Sequence, residues 1–97
     1  MGGISFSWDS HKEKINQRKH GISFLEAQSV FYDENARLIH DPDHSVKEER
    51  FVLLGMSERL RVLVVCHSYL SGDGVIRVIS ARKATRKERK QYEENLP

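Results

Sequence analysis

The order of its segments predicts an α+β fold for this chain, β-α-α-β-β-β-β-α, built on a mostly antiparallel sheet. Three observations carry that expectation. Two helix starts, at Asp9 and at Ser23-x-x-Glu26, bring cap chemistry to the first third of the chain. Four strand-like segments then follow with no helical stretch between them. The turn "SGDG" (71–74) joins the last two as a hairpin, which makes them antiparallel.

Each element has a local reason. "ISFSW" (4–8) alternates and reads as a short first strand. Asp9 caps a helix running to about His20, and Gly21 supplies its stop. Ile15 is its one clear apolar anchor, while Lys12, Asn16 and Lys19 share a face at i, i+4 and i+7. The second helix, 23–31, has Phe24, Ala27 and Phe31 as its buried stripe, helped by Leu25 or Val30. "ARLIH" (36–40) reads as a strand and "DPDHS" as its turn. "ERFVLLG" (49–55) is the next strand, ending at Gly55. "LRVLVVCHSYL" (60–70) is apolar on both faces and belongs in the centre of the sheet. "VIRVISAR" (75–82) is its hairpin partner. Thr85-x-x-Glu88 is a second capping box, opening a basic C-terminal helix over 86–95. That helix has only Tyr92 and Leu96 to bury, so it docks weakly unless a partner stabilises it. Two helices then cover one face of the sheet, leaving the other for a site or a partner.

The chain's 97 residues make one domain, 1–97. Net charge is only +2, but it is unevenly placed. Residues 1–81 hold 10 basic and 11 acidic side chains, and residues 82–97 hold 6 and 3. A basic cluster on a neutral body suggests an oriented contact with a polyanion. Cys66 is alone, which rules out an internal disulfide and fits a reducing compartment. It reads as a small buried hydrophobe. No signal-peptide pattern and no run of eighteen apolar residues occurs, so a cytoplasmic protein without a membrane span is expected.

The hairpin suggests where chemistry gathers. If Ser71 pairs with Gly74, then Val65 faces Ser80, His67 faces Val78 and Leu63 faces Arg82. His67, Ser80 and Arg82 then share one side of the sheet. A one-residue slip instead groups His67 with Arg77, Ile79 and Ala81. Histidine exchanges protons near neutral pH, and arginine is the best planar donor to phosphate. The N-terminus of the last helix adds free N–H groups and a partial positive charge. Together these describe a phosphoryl-transfer site. Plainer readings stand beside it. The basic helix could be a solvated face, His67 a core histidine, His20 a helix-end charge and Trp8 a core residue. "HDPDH" brings His40, Asp41, Asp43 and His44 together, but Asp41-Pro42 disfavours the helix that His-x3-His spacing needs, and the stretch reads as a turn. No metal or other cofactor motif is found.

"FSWDSHKEKINQRKHGISF" (6–24) resembles the opening signature of the BrnT-type toxin family, W-D-x-x-K-x-x-x-N-x-x-K-H-G-(V/I)-S-F. The matching residues are Trp8, Asp9, Lys12, Asn16, Lys19, His20, Gly21, Ile22, Ser23 and Phe24. "DPDHSVKEERFVLLGMS" (41–57) looks like that family's middle segment. "RVLVVCHSY…GVIRVISARKATRKERKQYE", beginning at residue 61, is close to its C-terminal signature, I-R-(I/V)-I-S-A-R-(K/R)-A-T. The similarity spans nearly the whole chain.

The resemblance implies a type II toxin–antitoxin toxin with a RelE-like fold. It implies a ribonuclease that halts translation without a metal or other cofactor. It also implies a small DNA-binding antitoxin of ribbon-helix-helix type, and contact with operator DNA only through the toxin–antitoxin complex. Arg82 and Arg86 match the basic positions of the C-terminal motif. RNA supplies its own nucleophile, the 2′-OH beside the scissile phosphate. The protein need only move protons and stabilise phosphate charge. His67 is the candidate for proton transfer, and Arg82 and Arg86 are candidates for charge stabilisation. Arg61 and Glu58 are further catalytic candidates. Lys12, Lys19, His20, Arg77, Lys83 and Lys87 are candidates for holding RNA. Two other classes stay open: a module that binds nucleic acid without cutting it, and one whose basic helix docks an acidic protein.

Overall fold

The computed structural model describes residues 4–39, 50–70 and 74–97. Its elements are strand β1 (Ser5–Ser7), helix α1 (Ser10–His20), helix α2 (Phe24–Ser29) with a 3₁₀ turn (Val30–Tyr32), and strand β2 (Arg37–Ile39). Strands β3 (Phe51–Met56), β4 (Val62–Leu70) and β5 (Val75–Lys83) follow, then helix α3 (Arg86–Glu94). The strands form one sheet in the order β1-β5-β4-β3-β2. Among the described residues, only β1 runs parallel to its neighbour, β5. The expected α+β class and its element order hold, with β4 at the centre. The stretch from His40 to His44 and residues 71–73 of the hairpin turn lie outside the described residues.

The caps work as their residue types dictate. Asp9 accepts from the N–H groups of His11 and Lys12, and Gly21 closes α1 in the left-handed conformation. The Ser23 hydroxyl accepts from Glu26 N–H. At α3 both halves of the capping box form, Thr85 to Glu88 and Glu88 back to Thr85.

One apolar cluster lies between the sheet and α1–α2. It contains Ile22, Phe24, Ala27, Val30, Leu53, Leu63, Val65, Val78 and Ala81. Trp8 packs against this cluster, with its ring edge-on to Phe24 at 6.0 Å, so it is a core residue. Leu25 faces solvent and Val30 takes the buried place in the α2 stripe. A smaller cluster lies on the opposite face, where Tyr92 of α3 packs on Val52, Leu54 and Val64. Gly55 sits where β3 passes the 3₁₀ turn. A Cβ there would lie 2.7 Å from the Ala36 Cβ and 2.8 Å from a Val30 methyl, so no larger residue fits without movement.

Two expectations are corrected. The anchor of α1 is Asn16, 6% exposed, and not Ile15, which is 50% exposed. The Asn16 amide donates to Ile22 O at 3.0 Å and Ala81 O at 2.9 Å, and accepts from Ala81 N–H at 3.1 Å. It acts as a strand partner for β5 where β1 has ended. The second correction concerns register. His67 does pair with Val78, but a bulge between Cys66 and His67 shifts the rest. Cys66 pairs with Ser80, Val65 with Ala81 and Val64 with Arg82. One extra residue, Ile79, enters β5, and the alternation of faces inverts beyond it. His67 therefore parts company with Ser80 and Arg82, which lie on the other side of the sheet.

Candidate active site

The face under α3 carries the site. Paired residues share a face, so the registers trace two rows across four strands. One row runs Arg37, Leu54, Val64, Arg82, and the next runs Ile39, Val52, Cys66, Ser80. The centre of each row is apolar or weakly polar, and the first has an arginine at either end. Apart from Leu54, buried beneath Tyr92, these rows floor a cleft of about 920 Å³ whose other wall is α3, with Lys87, Glu88, Gln91 and Glu94. Arg50, two residues before Val52 on the same face, also lines it. Among the described residues, four basic side chains thus reach the cleft: Arg37, Arg50, Arg82 and Lys87.

Arg82 is held firmly. Its guanidinium grips Glu88 through two hydrogen bonds, 2.8 and 2.9 Å, and donates to Lys83 O at 3.3 Å. The arginine holds the Glu88 carboxyl down to about 2, with help from the Thr85 N–H and against the effect of burial. Lys83 and Arg86 are exposed beside it, at the end of β5 and the first position of α3. Helix α3 is itself tied down from Tyr92, whose hydroxyl donates to Asp33 Oδ2 at 2.7 Å. Burial, and then the Asp33 charge, push the Tyr92 hydroxyl up to about 12. Burial alone would raise Asp33, but N–H donors from Met56 and Asn35 and the Tyr92 hydroxyl outweigh it and leave the carboxyl lowered.

Of the five expected catalytic residues only Arg82 lines the cleft; Arg86 is exposed beside it, and the other three stand elsewhere. His67 is fully buried on the α1–α2 side, with its ring edge-on to Phe31 at 4.8 Å and near Phe51 and Tyr69. Burial depresses its pKa, with a partly opposing bond to Val65 O at 3.3 Å. Arg61 is engaged by buried Glu26, whose carboxylate also accepts from the Ser57 hydroxyl at 2.7 Å. The Arg61 guanidinium, with Ser57, keeps Glu26 below the usual carboxylate range despite burial. This network braces the β3–β4 turn. Glu58 is exposed on that turn, its N–H bound to the Ser29 hydroxyl at 2.9 Å. Among the expected RNA contacts, Arg77 pairs with Ser68 on the cleft's face of the sheet, one row beyond Cys66 and Ser80, and does not itself line the cleft. Lys12, Lys19 and His20 line a separate groove beside α1.

Sequence reasoning misses Arg37, Arg50 and Glu88 as members of the site. The alternation Arg50-Val52-Leu54 carries a signal for Arg50, because it assigns that residue to the face of the other two. Arg37 needs the β2–β3 register, which no local pattern supplies.

Residues 8–88 match the sequence pattern of a family described as the ribonuclease toxin, BrnT, of type II toxin–antitoxin systems. The chain belongs to that family. Membership makes it a ribonuclease toxin, with RNA as its substrate and an antitoxin as its partner. Among solved structures, the 1.1 Å crystal structure of the Brucella abortus ribonuclease toxin, BrnT, resembles it with a TM-score of 0.66. The two share 22% identity over 87% of this chain and 100% of the other, a likeness of fold. No curated protein matches the chain. Among the described residues, no helix is long and apolar enough to cross a membrane, and no group of three or more His, Cys, Asp or Glu side chains could hold a metal ion.

Proposed function

We propose that this BrnT-family chain is a cytoplasmic endoribonuclease whose active site is the cleft beneath α3. The observation that carries the reading is the placement of Arg82, Arg37, Arg50 and Lys87 around one cleft, with Arg82 fixed by Glu88. RNA brings the 2′-OH nucleophile, so the protein's task is to orient the phosphate and stabilise its growing charge. Arg82, oriented by its bidentate hold on Glu88, brings its guanidinium to the reacting phosphate. Arg86 and Lys83 extend the positive field at the start of α3, and Arg37, Arg50 and Lys87 hold neighbouring phosphates. Four cations in one cleft support a reaction without metal, because they supply the charge that an ion would otherwise bring. His67, buried on the other face, has no part in this reading, and Arg61 and Glu58 serve the β3–β4 turn. Cleavage of messenger RNA would halt translation. A ribbon-helix-helix antitoxin would neutralise the toxin by covering the cleft, and operator DNA would be met only through that complex.

The products test the chemistry. Purified protein in excess chelator, given end-labelled RNA, leaves fragments ending in a 2′,3′-cyclic phosphate and beginning with a 5′-OH. Fragments ending in a 3′-OH, or activity restored only by a divalent ion, would overturn the proposed mechanism.

A further inference from the structure

A second groove, about 220 Å³, lies beside α1 and is lined by Lys12, Ile15, Asn16, Lys19, Ile79 and Ser80, with His20 at its end. Its position follows from the fold. Strand β1 accompanies β5 only as far as Arg77. Beyond that, Asn16 takes over the strand edge through its paired bonds to Ala81. Lys12 and Lys19 lie four residues before and three after Asn16, on the same helix face. Pinning Asn16 to the strand therefore sets both ammonium groups along that edge. The bulge adds Ile79 to the groove, where half-exposed Ile15 makes a second apolar surface.

Apolar side chains between two cations suit a nucleotide, with the base against the isoleucines and phosphates on the lysines. Ser80 lines both this groove and the cleft under α3, so it marks the point on the sheet edge nearest to both. We infer that the groove holds nucleotides flanking the cleavage position, and that the substrate is a single strand running from the cleft over Ser80 onto α1. The inference rests on the proposed ribonuclease site. A groove this small, wrapped over a sheet edge, admits a flexible strand and not a duplex.

The test uses an octanucleotide with 2′-O-methyl groups, which binds but cannot be cut, followed by fluorescence anisotropy. Lys12→Glu/Lys19→Glu is compared with Lys14→Glu/Arg18→Glu, the same charge change at exposed positions of α1 outside the groove. The groove variant is expected to bind about tenfold or more weakly than wild type, and its plot of log affinity against log salt to flatten by about 0.7 per lost phosphate contact. The control variant binds within about twofold of wild type. Cleavage of a dinucleotide, which has one phosphate and occupies the cleft alone, stays unchanged in the control variant. Equal losses in the two variants would overturn the inference in favour of general charge attraction. So would an unaltered octamer affinity in the groove variant accompanied by lost affinity for the antitoxin, which would assign the groove to a protein. Wild-type protein that binds the octamer but cuts no RNA counts against the ribonuclease reading, while the binding comparison still judges the groove.

Discussion

Arg82 and Glu88 meet fork to fork, Nη1 to Oε1 at 2.8 Å and Nη2 to Oε2 at 2.9 Å. The same Glu88 Oε1 accepts the Thr85 N–H at 2.8 Å. One carboxylate thus ties the end of β5 to the start of α3 and fixes the direction of the arginine. A capping residue is also a positioning residue for the proposed site.

That pair makes stability depend on pH in acid. Unfolded, the Glu88 carboxyl has its ordinary value of 4.5, and in the fold it is lowered to about 2. The native state therefore holds its proton less tightly, so the contribution is complete above about 4.5 and is lost as pH falls through about 2. Glu88→Gln can still accept the Thr85 N–H but loses the charge. We expect the variant to be less stable than wild type at pH 7 and the gap to close on acidification. Denaturant titrations from pH 7 to 2 measure it. A gap that stays constant with pH would show that the ion pair contributes nothing.

His67 gives a prediction of the opposite kind, an absence of effect on cleavage. It is fully buried among Phe31, Phe51 and Tyr69. His67→Leu should keep the saturated cleavage rate while costing stability through imperfect repacking, roughly 1–3 kcal/mol. Burial lowers the histidine's folded-state pKa below its ordinary 6.5. Its contribution is therefore present above about 6.5 and is lost as pH falls through the lower folded value. Melting temperatures between pH 8 and 5 should fall more steeply for wild type than for the leucine variant. A folded variant that cuts RNA far more slowly would return His67 to the mechanism.

Tyr92 is the bolt of α3. Tyr92→Phe keeps the ring on Val52, Leu54 and Val64 but loses the 2.7 Å bond to Asp33. A hydrogen bond to a charged acceptor is worth about 1.5–3 kcal/mol. We expect that loss in urea denaturation, together with faster amide exchange in α3. The raised Tyr92 pKa means the bond's contribution is present below pH 10 and is lost as pH rises through about 12. Wild type and variant should therefore converge in strong alkali. Unchanged exchange in α3 would mean that the helix is held by something else.

The elements are legible in the sequence because their causes are local. Asp9, Gly21, Ser23 and Thr85 carry cap chemistry within a few residues, and the apolar run of β4 announces a central strand. The site is only half legible because it depends on register. A two-residue period continued through Val78, Ser80 and Arg82 sends all three to His67's face. The buried residues are instead Val78 and Ala81, three apart, because the fold admits Ile79 as a bulge. A bulge costs little locally and is chosen by packing, here by the fit of Ala81 against the core under α1. Asn16 is hidden for a related reason. A polar residue becomes an anchor only once a strand edge needs its amide, and that edge belongs to a segment 65 residues away.

Arg82 decides whether the cleft is catalytic. It stands at the end of the row Arg37, Leu54, Val64, Arg82, opposite α3, with its guanidinium fixed by Glu88. If it stabilises charge that develops on the phosphate, Arg82→Ala lowers the single-turnover cleavage rate by roughly 10²–10³, as loss of an oxyanion donor does. Arg82→Lys recovers only part of that, since an ammonium cannot reproduce the planar fork. If Arg82 only attracts RNA, the loss appears in binding, shrinks the dependence on salt, and disappears at saturating enzyme. Removing Arg82 also releases Glu88, so circular dichroism must first show that α3 persists. Glu88→Gln then serves as the companion measurement, because it keeps Arg82 and loosens its hold. A rate that falls in both variants, and further in Arg82→Ala, assigns the guanidinium to the reaction and the carboxylate to its positioning. A folded Arg82→Ala protein that cuts at the wild-type saturated rate would remove Arg82 from the chemistry and leave the cleft as a binding surface.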